Sequence, residues 1–327
     1  MFAFTTREDP DLKHTTHGDA YTLASLKLTR SGVRIRPMSD PDLESIQELR
    51  KTVRWSTDPR AFDLLRGMRE ARWAIAEAEG SGAVVGMVGA VPLGEVGILC
   101  HLAVQHEYRK LGLGTELSSW SVSYLLSQGA KVVRLDSTYQ AKRLYGSLGF
   151  EPVSRRAVYR LEGGVLAARL RSNRSLDARS RSLRVTPLLF GDLPELYGVD
   201  RWSFGGDRSA LILATLKLHP GWGLVARDAS GRIKGYLIRS ANGATVRIGP
   251  FMASSPDVAR VLLARALQTD GGRSVEVSVS GPAQSPAHGV LREFGFVGWW
   301  DRLRMELGEE PRTEGLEAYG TTPYLAT

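Results

Sequence analysis

One stretch constrains this chain more than any other. An apolar run, residues 96–104, is followed by Tyr108-Arg109-Lys110-Leu111-Gly112-Leu113-Gly114-Thr115, and then by an apolar-periodic run to residue 126. The order reads as strand, basic glycine-bearing turn, helix. Such a turn is an anion site. Gly112 and Gly114 carry no Cβ, so the backbone can approach a phosphate. The first N–H groups of the helix point outward, and the macrodipole adds roughly half a positive charge. Arg109 and Lys110 supply full charges. A phosphate or pyrophosphate is therefore expected here.

The 327 residues suffice for two domains. Hydrophobic content of 43% and charged content of 24% fit a globular chain rather than a disordered one. No run approaches the ~20 apolar residues of a membrane helix, so no membrane partner is expected. The first thirty residues lack the features of a signal peptide, and the single cysteine, Cys100, excludes an intramolecular disulfide. These points lead to the expectation of a cytoplasmic protein. No His/Cys/Asp cluster has metal-ligand spacing, so no metal is expected.

The net charge of +8 could suit an acidic or phosphate-bearing molecule. Much of the excess lies in Arg169, Arg171, Arg174, Arg179, Arg181 and Arg184, with Asp177 the only acid among them. Nucleic-acid surfaces interleave aromatics with such charge. None is present, so this stretch reads as a solvated linker and no nucleic acid is expected.

Along residues 33–162 the order is strand, two helices, three strands, glycine turn, helix, strand, short helix, strand. A comparable order recurs over 183–308. Leu148-Gly149-Phe150 and Phe294-Gly295-Phe296 close the short second helix of each copy. We read an internal duplication of a mixed α/β sheet. The expected division is an N-terminal extension (1–32), a first domain (33–162), an Arg-rich linker (163–182), a second domain (183–308) and a C-terminal tail (309–327).

The first copy resembles the GNAT superfamily of N-acetyltransferases at two separate sites. Arg109-Lys110-Leu111-Gly112-Leu113-Gly114 is similar to its acyl-CoA loop, Gln/Arg-x-x-Gly-x-Gly/Ala. Leu144-Tyr145-Gly146-Ser147-Leu148-Gly149-Phe150 is similar to its Leu-Tyr-x-x-x-Gly-Phe helix end. Val133 to Thr138 is also similar to a bacterial tandem subgroup in which a degenerate second half follows the first. The resemblance implies a tandem fold, two central mixed sheets that splay and are flanked by helices. It implies acetyl-CoA, or another acyl-CoA, as co-substrate. The backbone of Leu102, Ala103 and Val104 would bond the pantetheine arm. Arg109, Lys110, Leu111, Gly112, Leu113, Gly114 and the N–H of Thr115 would hold the pyrophosphate. Tyr145 would protonate the departing thiolate, a role its phenol also suits on chemical grounds.

The base is not legible. Ile98 stands where many relatives carry a strand carboxylate, and Glu95 lies a turn of strand earlier. His101 has a suitable pKa for a base, but alternation places it on the face opposite Cys100. A bulge would reverse that. Cys100 reads as a small wall residue that touches substrate. Asp136 ends the next strand, where it would orient the amine or accept its proton.

In the second copy the loop position reads Ile248-Gly249-Pro250-Phe251-Met252-Ala253-Ser254-Ser255-Pro256, and Leu291 takes the place of Tyr145. This half should not run the chemistry. It would buttress the first and shape an acceptor cleft, with Trp202, Phe204, Trp222, Trp299 and Trp300 as candidate lining. The expected activity is transfer of acetyl to a primary amine of a small molecule or peptide. The alternative is a non-catalytic acyl-CoA sensor or scaffold. A homodimer is compatible with the sequence.

Overall fold

The computed structural model describes residues 27–28, 32–53, 55, 59–163, 182–269 and 272–321. Most of the N-terminal extension and nearly all of the Arg-rich linker lie outside these residues.

The first half opens with β1 (Lys27–Leu28) and β2 (Val33–Pro37), then α1 (Leu43–Thr52) and α2 (Pro59–Arg66). A meander follows: β3 (Arg72–Ala78), β4 (Val84–Leu93) and β5 (Val96–Val104). Then come α3 (Leu113–Ser127), β6 (Val132–Ser137), α4 (Lys142–Gly146) and β7 (Glu151–Leu161). The second half repeats the plan. It has β8 (Arg184–Pro187), α5 (Leu193–Phe204), α6 (Ser209–Leu218), β9 (Gly223–Arg227), β10 (Ile233–Asn242) and β11 (Thr245–Ala253). It continues with α7 (Pro256–Thr269), β12 (Val275–Gly281), α8 (Pro286–Glu293) and β13 (Val297–Gly308), and β14 (Glu317–Gly320) ends it.

Alternation along β5 and β6 gives two apolar faces, and each needs a cover. Leu113, Leu117 and Leu125 of α3 bury one face with Leu99, Val133 and Leu135. Ile46, Leu49, Phe62 and Leu65 of α1 and α2 bury the other with Ile98, Cys100 and Val132.

The halves do not form separate sheets. The strand order is β1-β2-β3-β4-β5-β6-β13-β7-β12-β11-β10-β9-β8, with β14 beside β11. β13, the last long strand of the second half, lies between β6 and β7. β7 in turn pairs with β12. Each half thus lends its last long strand to the other. The cores record the exchange: Leu303 and Met305 of β13 belong to the first core, and Ala157, Tyr159 and Leu161 of β7 to the second.

β5 and β6 run parallel and pair only from Val96↔Val132 to Ile98↔Arg134. Beyond that they part into a wedge. β11 and β12 likewise pair only from Val246↔Val275 to Ile248↔Val277. The second wedge is filled, because β14 pairs antiparallel with β11 and the Thr321 N–H donates to Ser278 O of β12 at 2.7 Å. Tyr319 is fully buried there against Phe251. The loop expected around Pro250 is strand instead. β11 runs on to Ala253, and Gly249 and Pro250 fall where its register on β10 shifts between Leu237 and Arg239. A bulge leaves a residue unpaired, so a proline without an N–H is accommodated there.

Candidate active site

β5 delivers its end into the turn expected from sequence. Lys110 and Gly112 both have left-handed φ values, 65° and 88°. Gly112 caps α3, and its carbonyl accepts the N–H groups of Thr115 at 3.0 Å and Glu116 at 3.1 Å. The N–H groups that begin the helix, at Leu113 and Gly114, have no intrahelical acceptor. Arg109 Nε donates to Val104 O at 3.0 Å. Its guanidinium thus rests at the mouth of the wedge. Lys110 and Leu111 are exposed.

Gly114 has a second reason to be glycine. A Cβ there would stand 2.7 Å from Leu144 Cδ1. The glycine lets α4 pack against the first turn of α3, which carries Tyr145 to the wedge. The two motifs recognised separately in sequence are therefore in physical contact.

Tyr145 is 6% exposed and edge-on to Phe150. Among the described residues its hydroxyl makes no hydrogen bond. Burial pushes its pKa well up, while the charge of Arg302 on β13 pulls it back; the Cys100 thiol across the wedge also acts on it. Cys100 is buried among Ile98, Trp73 and Ala103, and desolvation pushes its thiol well above the ordinary range. A thiol held neutral is a wall, not a nucleophile.

The β4–β5 register steps from Met87↔Ala103 to Gly89↔Cys100, so β5 carries an extra residue. His101 sits in that bulge with φ 54°. Strict alternation, which put His101 on the face opposite Cys100, fails here. Its ring packs against Trp55, Phe62 and Trp73 at centroid distances of 5.5, 6.0 and 5.2 Å, on the same face as Cys100. The structure thus brings His101 to the Cys100 side, inside an aromatic cluster.

Asp136 has a 4% exposed side chain. Arg304 Nε donates to it at 2.8 Å, and Arg156 Nη1 stands at 3.5 Å. Burial opposes its charge, but Arg304 and Arg156 outweigh that, and its pKa is lowered. A carboxylate held this way is a weak proton acceptor. Glu95 lies away from the wedge, in the turn before β5, paired with Lys131.

Sequence reasoning missed Glu306 of β13. It stands opposite Arg134 in register, with the Arg134 Nε 3.0 Å from its Oε1. Burial first, then Glu310, raise its pKa, against Arg134 and Arg304. No local signal could have found it, because its place depends on the strand exchange. Glu306, Arg134, Asp136, Arg304 and Ile98 all line a cavity of about 740 Å³ between the halves. Of the aromatics considered for such a cleft, Phe204 lines it; Trp202 and Trp299 are largely exposed, and Trp222 and Trp300 pack against the second core.

Among the described residues, no group of three or more metal-ligating side chains occurs. No helix there is long and apolar enough to cross a membrane.

Comparison with known proteins agrees with this arrangement. Residues 41–150 match a family model described as the acetyltransferase (GNAT) family, and residues 197–320 match one described as an acetyltransferase (GNAT) domain. The uncharacterized N-acetyltransferase YitH of Bacillus subtilis is 26% identical over 221 residues, 66% of this chain and 71% of that one. Among solved structures, an acetyltransferase from Pyrococcus horikoshii, itself assigned only provisionally, superposes with a TM-score of 0.71 at 19% identity. That match covers 96% of this chain and all of the other. A tandem GNAT protein from the clavulanic acid biosynthesis pathway gives 0.58 at 12% identity, over 84% of this chain and 98% of that one. The two family matches take in more than two thirds of the sequence and fall on the two halves of the sheet, and the chain belongs to the GNAT family of N-acetyltransferases, with two GNAT domains in tandem.

Proposed function

We propose that this chain transfers acetyl from acetyl-CoA to a primary amine of a small molecule or peptide, and that residues 33–162 carry the chemistry. The observation behind this reading is the contrast between the two wedges. In the second half β14 adds to the β11 edge as a strand. In the first half the corresponding edge, Leu102, Ala103 and Val104, faces no strand of β6 among the described residues. An extended pantetheine arm can add there by main-chain hydrogen bonds, as β14 does in the other half. The turn at its end, Arg109 to Thr115, suits a diphosphate: left-handed backbone at Lys110 and Gly112, free helix-start amides, and two cations. The fit holds on backbone geometry and charge together.

Catalysis in this reading is chiefly positioning. The edge and the turn aim a thioester at the apex of the wedge, near Ile98. Tyr145 faces the departing sulfur. Its raised pKa keeps the phenol protonated at working pH, so it can donate to a developing thiolate. Cys100 walls the acyl end. Asp136, already bonded by two guanidinium groups, anchors the sheet beneath the acceptor rather than taking its proton. His101 holds the bulge that turns the end of β5 toward the turn. Residues 183–308 act as a degenerate half that completes the first sheet.

A second reading, an acyl-CoA sensor without turnover, rests on Ile98 occupying the position of a strand carboxylate. Calorimetry with acetyl-CoA followed by thiol release over an amine panel separates the two. Binding with release on an amine is expected. Binding without release on any amine favours the sensor, and no binding removes both.

A further inference from the structure

We propose that the cavity between the halves is the acceptor pocket for a small-molecule amine, and that Glu306, carried in on the exchanged strand β13, accepts the amine's proton. This rests on the acetyl-transfer reading above.

Strand register makes the case. Ile98 of β5 pairs with Arg134 of β6, and Arg134 pairs with Glu306 of β13. Residues paired across strands share a face. The three therefore form one row, on the face that lines the cavity. The row begins at Ile98, where β5 and β6 part and the thioester would arrive. Ile98 cannot take a proton. The carboxylate absent from β5 stands two strands away, roughly 9–10 Å at the usual strand spacing. Arg134 stands between them in the row, its Nε 3.0 Å from Glu306 Oε1, so the amine nitrogen and one bridging water would reach Glu306 from the cavity side of that ion pair.

Glu306 is also the better acceptor among the buried carboxylates. Its charged neighbours are Arg134 on β6, Arg304 on β13, Glu310 just after β13, and Glu151, its register partner on β7. Arg304 is engaged by Asp136, and Arg134 is shared with Glu310 at 3.3 Å. Burial and Glu310 together hold the Glu306 carboxyl above its ordinary range, whereas Asp136 is held below.

Size and charge set the substrate class. About 740 Å³ lies within the ~300–1,000 Å³ of small-molecule sites. Residues of both halves line it. Its lining carries five carboxylates, Asp136, Glu306, Glu310, Glu314 and Glu317, against three guanidinium groups, Arg134, Arg208 and Arg304, an acid excess although the chain as a whole carries +8. A cationic amine is favoured there, and the phosphate-bearing acceptor that overall charge suggests is not.

The reaction balances with these groups. The ammonium gives one proton to Glu306 through the water. The freed nitrogen bonds the thioester carbonyl carbon, and the C–S bond breaks with its electron pair going to sulfur. The Tyr145 hydroxyl hydrogen-bonds the sulfur as charge develops there, and the second nitrogen proton, released as the amide forms, ends on the sulfur through that hydroxyl. Glu306 then loses its proton to solvent.

The test uses the full chain, wild type and Glu306→Gln. Acetyl-CoA affinity is read by calorimetry. Thiol release is followed with tyramine, spermidine, glucosamine and a lysine-containing peptide, between about pH 5 and pH 9. We expect turnover of a small amine, a fall in kcat of about 10²-fold in Glu306→Gln, loss of the acid limb of the pH profile, and equal acetyl-CoA affinity in both proteins. Glu306→Asp, which keeps the charge if Glu306→Gln does not fold, should retain the limb and lose about tenfold in kcat. The proposal is overturned if either variant keeps wild-type kcat. It also falls if only the peptide is acetylated. Failure of the wild type to bind acetyl-CoA, or binding without release on any amine, instead overturns the acetyl-transfer reading beneath it, and this inference with it.

Discussion

At the scale of single residues, Tyr145 and Asp136 show how burial divides roles. A buried phenol is held above its ordinary pKa, while a free thiol titrates near ~8.5. In the proposed reaction complete proton transfer from Tyr145 to sulfur would therefore be uphill, and its expected effect is mostly a hydrogen bond to the developing charge. Tyr145→Phe should lower kcat by roughly 10- to 100-fold and leave acetyl-CoA affinity unchanged in calorimetry; unchanged kcat removes Tyr145 from the chemistry. Asp136, paired with Arg304 and Arg156, is expected to contribute to stability. Asp136→Asn leaves Arg304 and Arg156 without their shared anion, and breaking a buried pair from one side costs about 3–5 kcal/mol, to be read as a lower urea midpoint. The pH dependence is set by the sign of the shift. Asp136 has a lowered folded pKa, so its contribution is present above the unfolded value of ~3.9 and is lost as pH falls through the folded one. Wild type should shed this stability below about pH 4, and Asp136→Asn should lack that component.

Among the elements, the turn between β5 and α3 was the most legible. Its physics is local: the glycine conformation, the helix start and the charges all lie within eight residues. Lys110→Ala should weaken acetyl-CoA binding several-fold, roughly 1 kcal/mol for an exposed cation, and make the affinity less dependent on salt; an unaltered salt dependence would place the diphosphate elsewhere. Strand periodicity was legible for the same reason, and it failed at bulges. One extra residue at His101 reverses the facing of the strand beyond it, and another bulge accommodates Pro250 within β11. Both depend on a neighbouring strand's register, which alternation along one strand cannot report. The helix of Leu144-Tyr145 was readable as a motif, but its seat on Gly114 was not, because that contact joins residues thirty positions apart.

At the scale of the molecule, the strand exchange is what sequence could not show. β7 and β13 each carry a pattern that would serve their own half equally well, and the choice between partners lies in long-range pairing. Its consequences reach the site: β13 brings Arg302, Arg304 and Glu306 to the first half. The halves should therefore be inseparable. Expressed alone, residues 1–163 would present the edges of β6 and β7 without β13, and would open the first core where Leu303 and Met305 belong. Exposed apolar strand edges pair with other chains, so this piece should aggregate or remain molten by near-ultraviolet circular dichroism. Coexpression with residues 182–327 should restore a soluble one-to-one complex that binds acetyl-CoA, since the exchanged strands need no covalent link to pair. A first half that folds alone as a monomer and binds acetyl-CoA with full affinity would show that β13 is dispensable there, and would return the degenerate half to a passive attachment.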